Sequence, residues 1–276
     1  PRAKPGLHGR PDGDFYAYSN PSSFPGYSDI ILKSSDGSET QHIEMTRLNP
    51  KIVRFSARDL YFEAGDRTEQ NLYRINPKNQ RIEKVDTGGA FDSTFSFSTD
   101  GKTFSFLSVS EGSLRELVVT RGRKRQQLTD LSTQLAGLRL PRKELIGWKS
   151  YDGLDIEAVL TWPVGYEAGK PYPLFVRTHG GPTGTDRPLL AGAPRWIYLP
   201  DLLAAEGDGA FVLQTNYRGS ANYGEAFQSS NLRNLGIGPA RDIVAGVEML
   251  IEKGLVSPDR VGCLGWSQGG HISAML

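Results

Sequence analysis

Gly265-Trp266-Ser267-Gln268-Gly269 sets a hydroxyl between two glycines at the junction of two unlike stretches of chain. Before it, Arg260-Val261-Gly262-Cys263-Leu264-Gly265-Trp266 is an apolar run with small residues, entered from the turn-like Ser257-Pro258-Asp259, and reads as a short buried strand. After it, His271-Ile272-Ser273-Ala274-Met275-Leu276 is compatible with a helix. A sharp strand-to-helix turn holds its serine in a strained conformation and leaves Oγ exposed at the end of a sheet, where it can attack a carbonyl. Glycines are needed on either side because side chains there would collide with the neighbouring strand and helix. In a chain with 32 glycines the pentapeptide alone carries little weight. The strand before and the helix after are what give it meaning.

Attack on a carbonyl creates an oxyanion, which two converging N–H donors stabilise where water cannot compete. A second Gly-rich segment, Thr178-His179-Gly180-Gly181-Pro182-Thr183-Gly184, follows another apolar run over 171–178. In an α/β-hydrolase one donor is the backbone N–H after the nucleophile, here Gln268. The other comes from the loop after the third strand, and Gly181 is the candidate, since the backbone itself must approach the substrate oxygen.

A serine also needs a base, and the base an orienting carboxylate. In this fold both follow the nucleophile, in the order Asp, His. The sequence runs nine residues past Ser267 (276 − 267), without an aspartate. His271 is one helical turn on and reads as a packing or pocket-wall residue. His179 belongs to the oxyanion loop and reads as structural. Asp242 reads as a solvated charge near a helix N-terminus, and Cys263 as a small buried apolar residue. The expectation is an internal fragment: the triad Asp and His fall beyond residue 276, and the fragment alone is inactive.

The elements that must position these residues begin after the linker-like 131–140. Glu144 to Lys149 reads as a strand, Tyr151-Asp152-Gly153 as a hairpin turn and Asp155 to Trp162 as the returning strand. Residues 171–178 and 209–216 read as buried strands. Pro194 to Glu206 suits a helix with Trp196, Leu199, Leu202 and Leu203 on one face. A second helix over Pro239 to Lys253 has its proline in the first turn, a stripe of Ile243, Val247, Leu250 and Ile251, and Gly254 closing it. Apolar strands alternating with helices mean a mostly parallel sheet covered on both faces.

Upstream the pattern repeats. Pro11-Asp12-Gly13-Asp14, Ala57-Arg58-Asp59 and Thr99-Asp100-Gly101-Lys102 are turn signals spaced about 47 and 41 residues apart, a spacing that suits propeller blades. Each precedes a β-rich run: Phe15 to Tyr18, Leu60 to Glu63 and Thr103 to Leu107. A third strand follows in each unit (Asp29 to Leu32, Leu72 to Ile75, Arg115 to Val119), then an outer one (Thr40 to Glu44, Arg81 to Val85, Arg125 to Thr129). Three four-stranded units are too few to close a ring. The fold class is therefore β-propeller blades, all-β and incomplete, followed by the N-terminal half of an α/β-hydrolase domain. The boundary is read at 1–136 for the last blades and 137–276 for the hydrolase part, truncated after the nucleophile elbow. The basic run Arg121-Gly122-Arg123-Lys124-Arg125 falls on a blade hairpin and reads as a solvated turn.

Composition sets bounds on partners. A net charge of +1 points to neither a nucleic-acid nor a membrane-surface partner. No apolar run reaches the length of a membrane span. A single cysteine excludes an internal disulfide framework and a cysteine-based zinc site. His8 and His42 have no partner at metal-ligand spacing and read as surface residues, so neither a metal nor a cofactor is expected. The chain opens on Pro1 without a methionine or a signal-like segment, so its natural beginning is expected to lie before Pro1.

Taken together, Trp148-Lys149-Ser150-Tyr151-Asp152-Gly153, His179-Gly180-Gly181-Pro182, Asn216-Tyr217-Arg218-Gly219-Ser220-Ala221-Asn222-Tyr223-Gly224 and Gly265-Trp266-Ser267-Gln268-Gly269-Gly270 resemble, in order and spacing, the prolyl oligopeptidase family of serine peptidases. The acylaminoacyl-peptidase and dipeptidyl-peptidase-like branch is the most similar. The resemblance implies hydrolysis of short peptides admitted through or beside the propeller, with Ser267 as nucleophile and Gln268 and Gly181 as oxyanion donors. Arg218 either supports its loop or meets a substrate carbonyl. Two departures stand out: Gln268 replaces a tyrosine common in the family, and residues 235–241 lack the usual aromatic and acidic residues. An esterase or other acyl hydrolase on the same scaffold, and a non-catalytic propeller-containing binding protein, are the alternative readings.

Overall fold

The computed structural model describes residues 7–21, 27–56, 58–181, 183–190 and 199–276. Ala57 and Pro182 of the motifs above lie outside the described residues. So do residues 194–198 of the helix expected over Pro194 to Glu206. The chain divides into two compact units, one of residues 1–110 and 115–133, the other of 111–114 and 134–276.

The first unit is three antiparallel four-stranded meanders. The first contains β1 (His8–Gly9), β2 (Phe15–Pro21), β3 (Ser28–Ser34) and β4 (Thr40–Ile43), paired in chain order. The second contains β5 (Lys51–Phe55), β6 (Leu60–Asp66), β7 (Glu69–Asn76) and β8 (Arg81–Lys84). The third contains β9 (Asp92–Phe97), β10 (Thr103–Ser108), β11 (Glu116–Arg121) and β12 (Lys124–Gln127). The repeat read from the sequence thus corresponds to real blade-like sheets. Both faces of the middle sheet are apolar. Phe62, Tyr73 and Ile75 pack with Ala17, Ile30 and Leu32 of the first sheet, while Leu72 packs with Phe95, Phe106 and Val118 of the third. The basic run sits on the β11–β12 hairpin, where Arg121 pairs with Lys124 across Gly122, at φ 59°. All five residues are exposed. Of the two histidines here, His42 is exposed, bonded through Nε2 to Asp29 at 2.8 Å, while His8 is half-buried rather than on the surface.

Two carboxylates hold the chain as it leaves an outer strand. Asp29 accepts the Met45 N–H at 2.8 Å. Glu116, at the corresponding place in the third sheet, accepts the N–H groups of Leu131 (3.0 Å) and Ser132 (2.8 Å) and the Ser132 hydroxyl (2.7 Å). These bonds, with the one from the Thr129 hydroxyl leading, hold the Glu116 carboxyl down at about 2.

The second unit is one five-stranded mixed sheet. Its strands are β13 (Lys143–Lys149), β14 (Asp155–Thr161), β15 (Tyr172–Thr178), β16 (Phe211–Asn216) and β17 (Val256–Gly265), in spatial order β13-β14-β16-β15-β17. β13, β14 and β16 pair antiparallel; β16, β15 and β17 run parallel. The connections carry α1 (Pro200–Ala205), α2 (Glu225–Ser229) and α3 (Ile237–Glu252), and α4 (Gln268–Ser273) follows β17. Every residue of β16 is buried, as expected of a central strand with helices on its faces. Helix α3 begins two residues before Pro239, which lies in its first turn, and buries Ile243 and Leu250. A Cβ at Gly246 would run into the Trp148 ring, so that glycine lets α3 lie directly on the hairpin β13–β14.

The strand before the elbow differs from the expectation: β17 starts at Val256 and, within these 276 residues, pairs on one side only, with β15, and Val261 is 38 % exposed and Cys263 exposed as well. An apolar run identifies a strand that can be covered on both faces but does not say where in the sheet it lies.

Candidate active site

Strand β17 ends at Gly265, α4 starts at Gln268, and the turn between them places Ser267 at φ 56°, ψ −123°. That is positive-φ backbone, costly for a residue with a Cβ. Ser267 is exposed. The turn is this tight because the helix must fold back at once onto the end of the neighbouring strand. Gly265 pairs with Thr178 across the parallel ladder, and a Cβ on Gly269 would come 2.7 Å from the His179 carbonyl.

The same close approach brings in the second motif. A Cβ on Gly180 would lie 2.6 Å from the Trp266 carbonyl and 3.1 Å from the Ser267 Cβ. A Cβ on Gly181 would run into the Gly184 amide at 2.6 Å, so the loop turns there on bare backbone. The loop after β15 and the elbow after β17 therefore touch, with a glycine on one side of each contact. Gln268 opens α4, so its N–H has no partner within the helix. Its side chain turns away, with Nε2 donating to the Leu235 carbonyl at 3.0 Å.

His179 is buried, and its ring stacks on Tyr217 with centroids 4.3 Å apart. Its Nε2 lies 2.9 Å from Ser220 Oγ, and the Tyr217 hydroxyl donates to the His179 carbonyl at 2.6 Å. Burial pushes the Tyr217 phenol well up, so it stays a neutral donor. These contacts hold the first residue of the loop. Asp186 holds the other end: its N–H donates to Asn216 Oδ1 at 2.7 Å, Asn216 Nδ2 donates to its carbonyl at 3.0 Å, and its carboxylate takes Arg177 and Gln214. His271 is exposed; its backbone N–H donates to the Ser267 carbonyl at 3.2 Å and its Nε2 lies against Gly236.

Arg218 is not brought to this place as a substrate contact. It is 5 % exposed, and its guanidinium is fully engaged. Nε and Nη2 donate to Asp242 at 2.9 and 2.7 Å, and Nη1 and Nη2 donate to Asp152 at 2.8 and 3.0 Å. Nη1 also reaches the Tyr151 hydroxyl at 3.1 Å. The substrate-binding reading gives way to the loop-support reading because no donor is left over. Asp242 is corrected with it. It is fully buried, and besides the guanidinium it accepts the Arg218 N–H at 2.9 Å and the Ser150 hydroxyl at 2.6 Å. Asp242 foremost, then Asp152, raises the Arg218 pKa further, and Arg218 in turn lowers that of Asp152. This cluster ties the β13–β14 turn, the loop after β16 and helix α3 to one another.

Sequence reasoning missed Thr178, Ser273, Tyr217, Ser220 and Asp186. Tyr217 and Ser220 lie inside a motif already singled out. Thr178 opens another, and nothing local marked Asp186. Among the described residues no group of three or more His, Cys, Asp or Glu is arranged to hold a metal ion, and no helix is long and apolar enough to cross a membrane.

A strained serine on a strand-to-helix turn, a glycine loop from the adjacent strand, this strand order and the preceding four-stranded blades define the class: an α/β-hydrolase preceded by propeller-type sheets. Residues 201–276 match the model of the prolyl oligopeptidase family, Peptidase_S9, and it is to this family that the motifs relate the chain. The mouse (Mus musculus) prolyl endopeptidase FAP is 28 % identical over 189 residues, covering 66 % of this chain and 24 % of that protein. The pig (Sus scrofa) acylamino-acid-releasing enzyme is 25 % identical over 229 residues, covering 78 % and 30 %. Among solved structures, an acylaminoacyl peptidase in complex with Z-Gly-Gly-Phe-chloromethyl ketone superposes with a TM-score of 0.78 at 20 % identity, covering 97 % of this chain and 41 % of the other. Dipeptidyl peptidase 4 of Porphyromonas gingivalis gives 0.78 at 21 % identity, with 98 % and 38 % covered. The chain thus spans 24 to 30 % of the length of these two curated relatives.

Proposed function

We propose that the protein carrying this chain is a serine peptidase acting on short peptides, with residues 1–136 as propeller blades and 137–276 as the first part of its catalytic domain. Ser267 is the nucleophile. Its Oγ bonds to the substrate carbonyl carbon, the carbonyl oxygen becomes an oxyanion held by the N–H groups of Gln268 and Gly181, and the amine leaves with the proton that the base took from Oγ. Water then hydrolyses the acyl-serine. The observation that carries this reading is Ser267 at positive φ with Gly180 against its Cβ. The relatives' names supply the substrate class.

No histidine of this second unit serves as the base: His179 is committed to Ser220 and Tyr217, and the His271 ring faces Gly236. The 276 residues by themselves are accordingly expected to be inactive. A fluorophosphonate probe on the whole protein tests the assignment. Labelling should be stoichiometric, should map to Ser267 and should disappear in Ser267→Ala. Peptide hydrolysis that survives Ser267→Ala would sink it. The same parts would serve esters, so N-acetylated, free-amino dipeptidyl and ester chromogenic substrates are compared in the same assay.

A further inference from the structure

Gln268 and Gly181 sit on segments that leave different strands, β17 and β15. Two N–H groups on separate segments can meet one oxygen only if the segments are locked together. We propose that Thr178 is the positioning residue that locks them, an inference that rests on the acyl-transfer reading above.

Thr178 closes β15, one residue before His179, and is 2 % exposed. Its Oγ1 lies 2.7 Å from the Gly269 carbonyl and 2.9 Å from Ser273 Oγ, both on α4, and 3.2 Å from the Leu264 carbonyl on β17. Ser273 Oγ is itself 2.8 Å from the Gly269 carbonyl. A hydroxyl has one proton to give. The shortest contact assigns that of Thr178 to the Gly269 carbonyl, while the Ser273 proton stays within the same three-membered cluster.

The Gly269 carbonyl lies in the first turn of α4, two peptide units on from the Gln268 N–H. Drawing it toward β15 sets the rotation of that turn about the helix axis, and with it the direction of the Gln268 N–H. Ile272 anchors α4 in the core further along the helix, but at its first turn the helix meets the end of β15 through glycines. The nearest neighbours of a Cβ placed on Gly265 or Gly269 are Thr178 atoms, Oγ1 and the carbonyl oxygen respectively. At that first turn, where no side chain of the helix interlocks with β15, the hydroxyl supplies the directional contact. A buried hydroxyl is costly unless bonded, and valine would fill this strand-end site as well by shape alone.

The test uses the whole protein with Thr178→Val, Thr178→Ser and Ser267→Ala. Removing an oxyanion donor outright costs 10²–10³ in kcat, so a donor present but misaimed in Thr178→Val should lower kcat about 10- to 100-fold with KM within about twofold. Inactivation by a phosphonate, which mimics the tetrahedral intermediate, should slow by the same factor. Thr178→Ser, which restores the hydroxyl, should recover kcat to within about threefold of wild type. Wild-type kcat in Thr178→Val beside an inactive Ser267→Ala would overturn the positioning role and leave the acyl-transfer reading intact. Thr178→Ser as slow as Thr178→Val would overturn it too, by assigning the effect to the methyl group. Activity in Ser267→Ala would remove both. If Thr178→Val does not fold, Ser273→Ala decides: a fall in kcat of about threefold or more at unchanged KM supports the lock, and a wild-type rate overturns it.

Discussion

Gly180 and Ser267 lie so close that a Cβ on the glycine would stand 3.1 Å from the Cβ of the serine and 2.6 Å from the carbonyl of Trp266. The oxyanion loop and the nucleophile turn are thus held at backbone distance, and each is shaped by what the other leaves empty. Gly180→Ala should force the two apart. A displacement near 1 Å costs about 100-fold in rate, so kcat/KM is expected to fall by about that factor while the folded state persists. Steady-state kinetics alongside a thermal melt would show it, and unchanged kinetics would mean that the loop yields freely.

Strain at Ser267 should be visible as stability. A non-Gly residue in a sparsely populated region stores about 1–3 kcal/mol, and glycine relieves it at the cost of a freer unfolded chain. Ser267→Gly is therefore expected to be about 1 kcal/mol more stable than Ser267→Ala, both being inactive. Denaturant unfolding of the two variants decides, and a less stable glycine variant would speak against stored strain.

The Arg218 cluster makes a stability prediction rather than a catalytic one. Arg218→Met leaves the Asp242 carboxylate buried without its partner, and breaking a buried pair from one side costs about 3–5 kcal/mol. Replacing both, as Arg218→Met with Asp242→Leu, should recover much of the loss. Equal destabilisation of the single and double variants, measured by denaturant titration, would show that the pair is not the unit.

Glu116 predicts a pH dependence. Its carboxyl falls from an ordinary 4.5 to about 2 on folding, so the folded state binds its proton less readily than the unfolded chain. The stabilisation it confers is complete above about pH 4.5 and is lost as pH falls toward about 2. Wild type and Glu116→Gln should differ in stability by a constant amount near neutrality and converge in acid. A gap that does not narrow between those values would contradict the bond set around Glu116.

Much of the site was legible because its constraints are local. Gly265, Gly269, Gly180 and Gly181 mark places where backbone must pass backbone, and that requirement leaves its trace in residue type. The alternation and turn chemistry of the blades are local for the same reason, as is the apolar stripe of α3. What escaped was everything decided by a partner distant in the chain. Asp242 looks like any acid near a helix start until Arg218, 24 residues away, is folded against it. Cys263 reads as buried because its strand is apolar, yet within these 276 residues that strand is paired on one side only and Cys263 is exposed. Thr178 is one more β-branched residue at a strand end until α4 is laid beside it. By itself the sequence determined the elements, their order and the glycines that let them approach. Which polar groups end up buried together, and so which side chains hold the two halves of the site in register, was decided only by the tertiary fold, because burial and hydrogen bonding depend on what arrives from elsewhere in the chain.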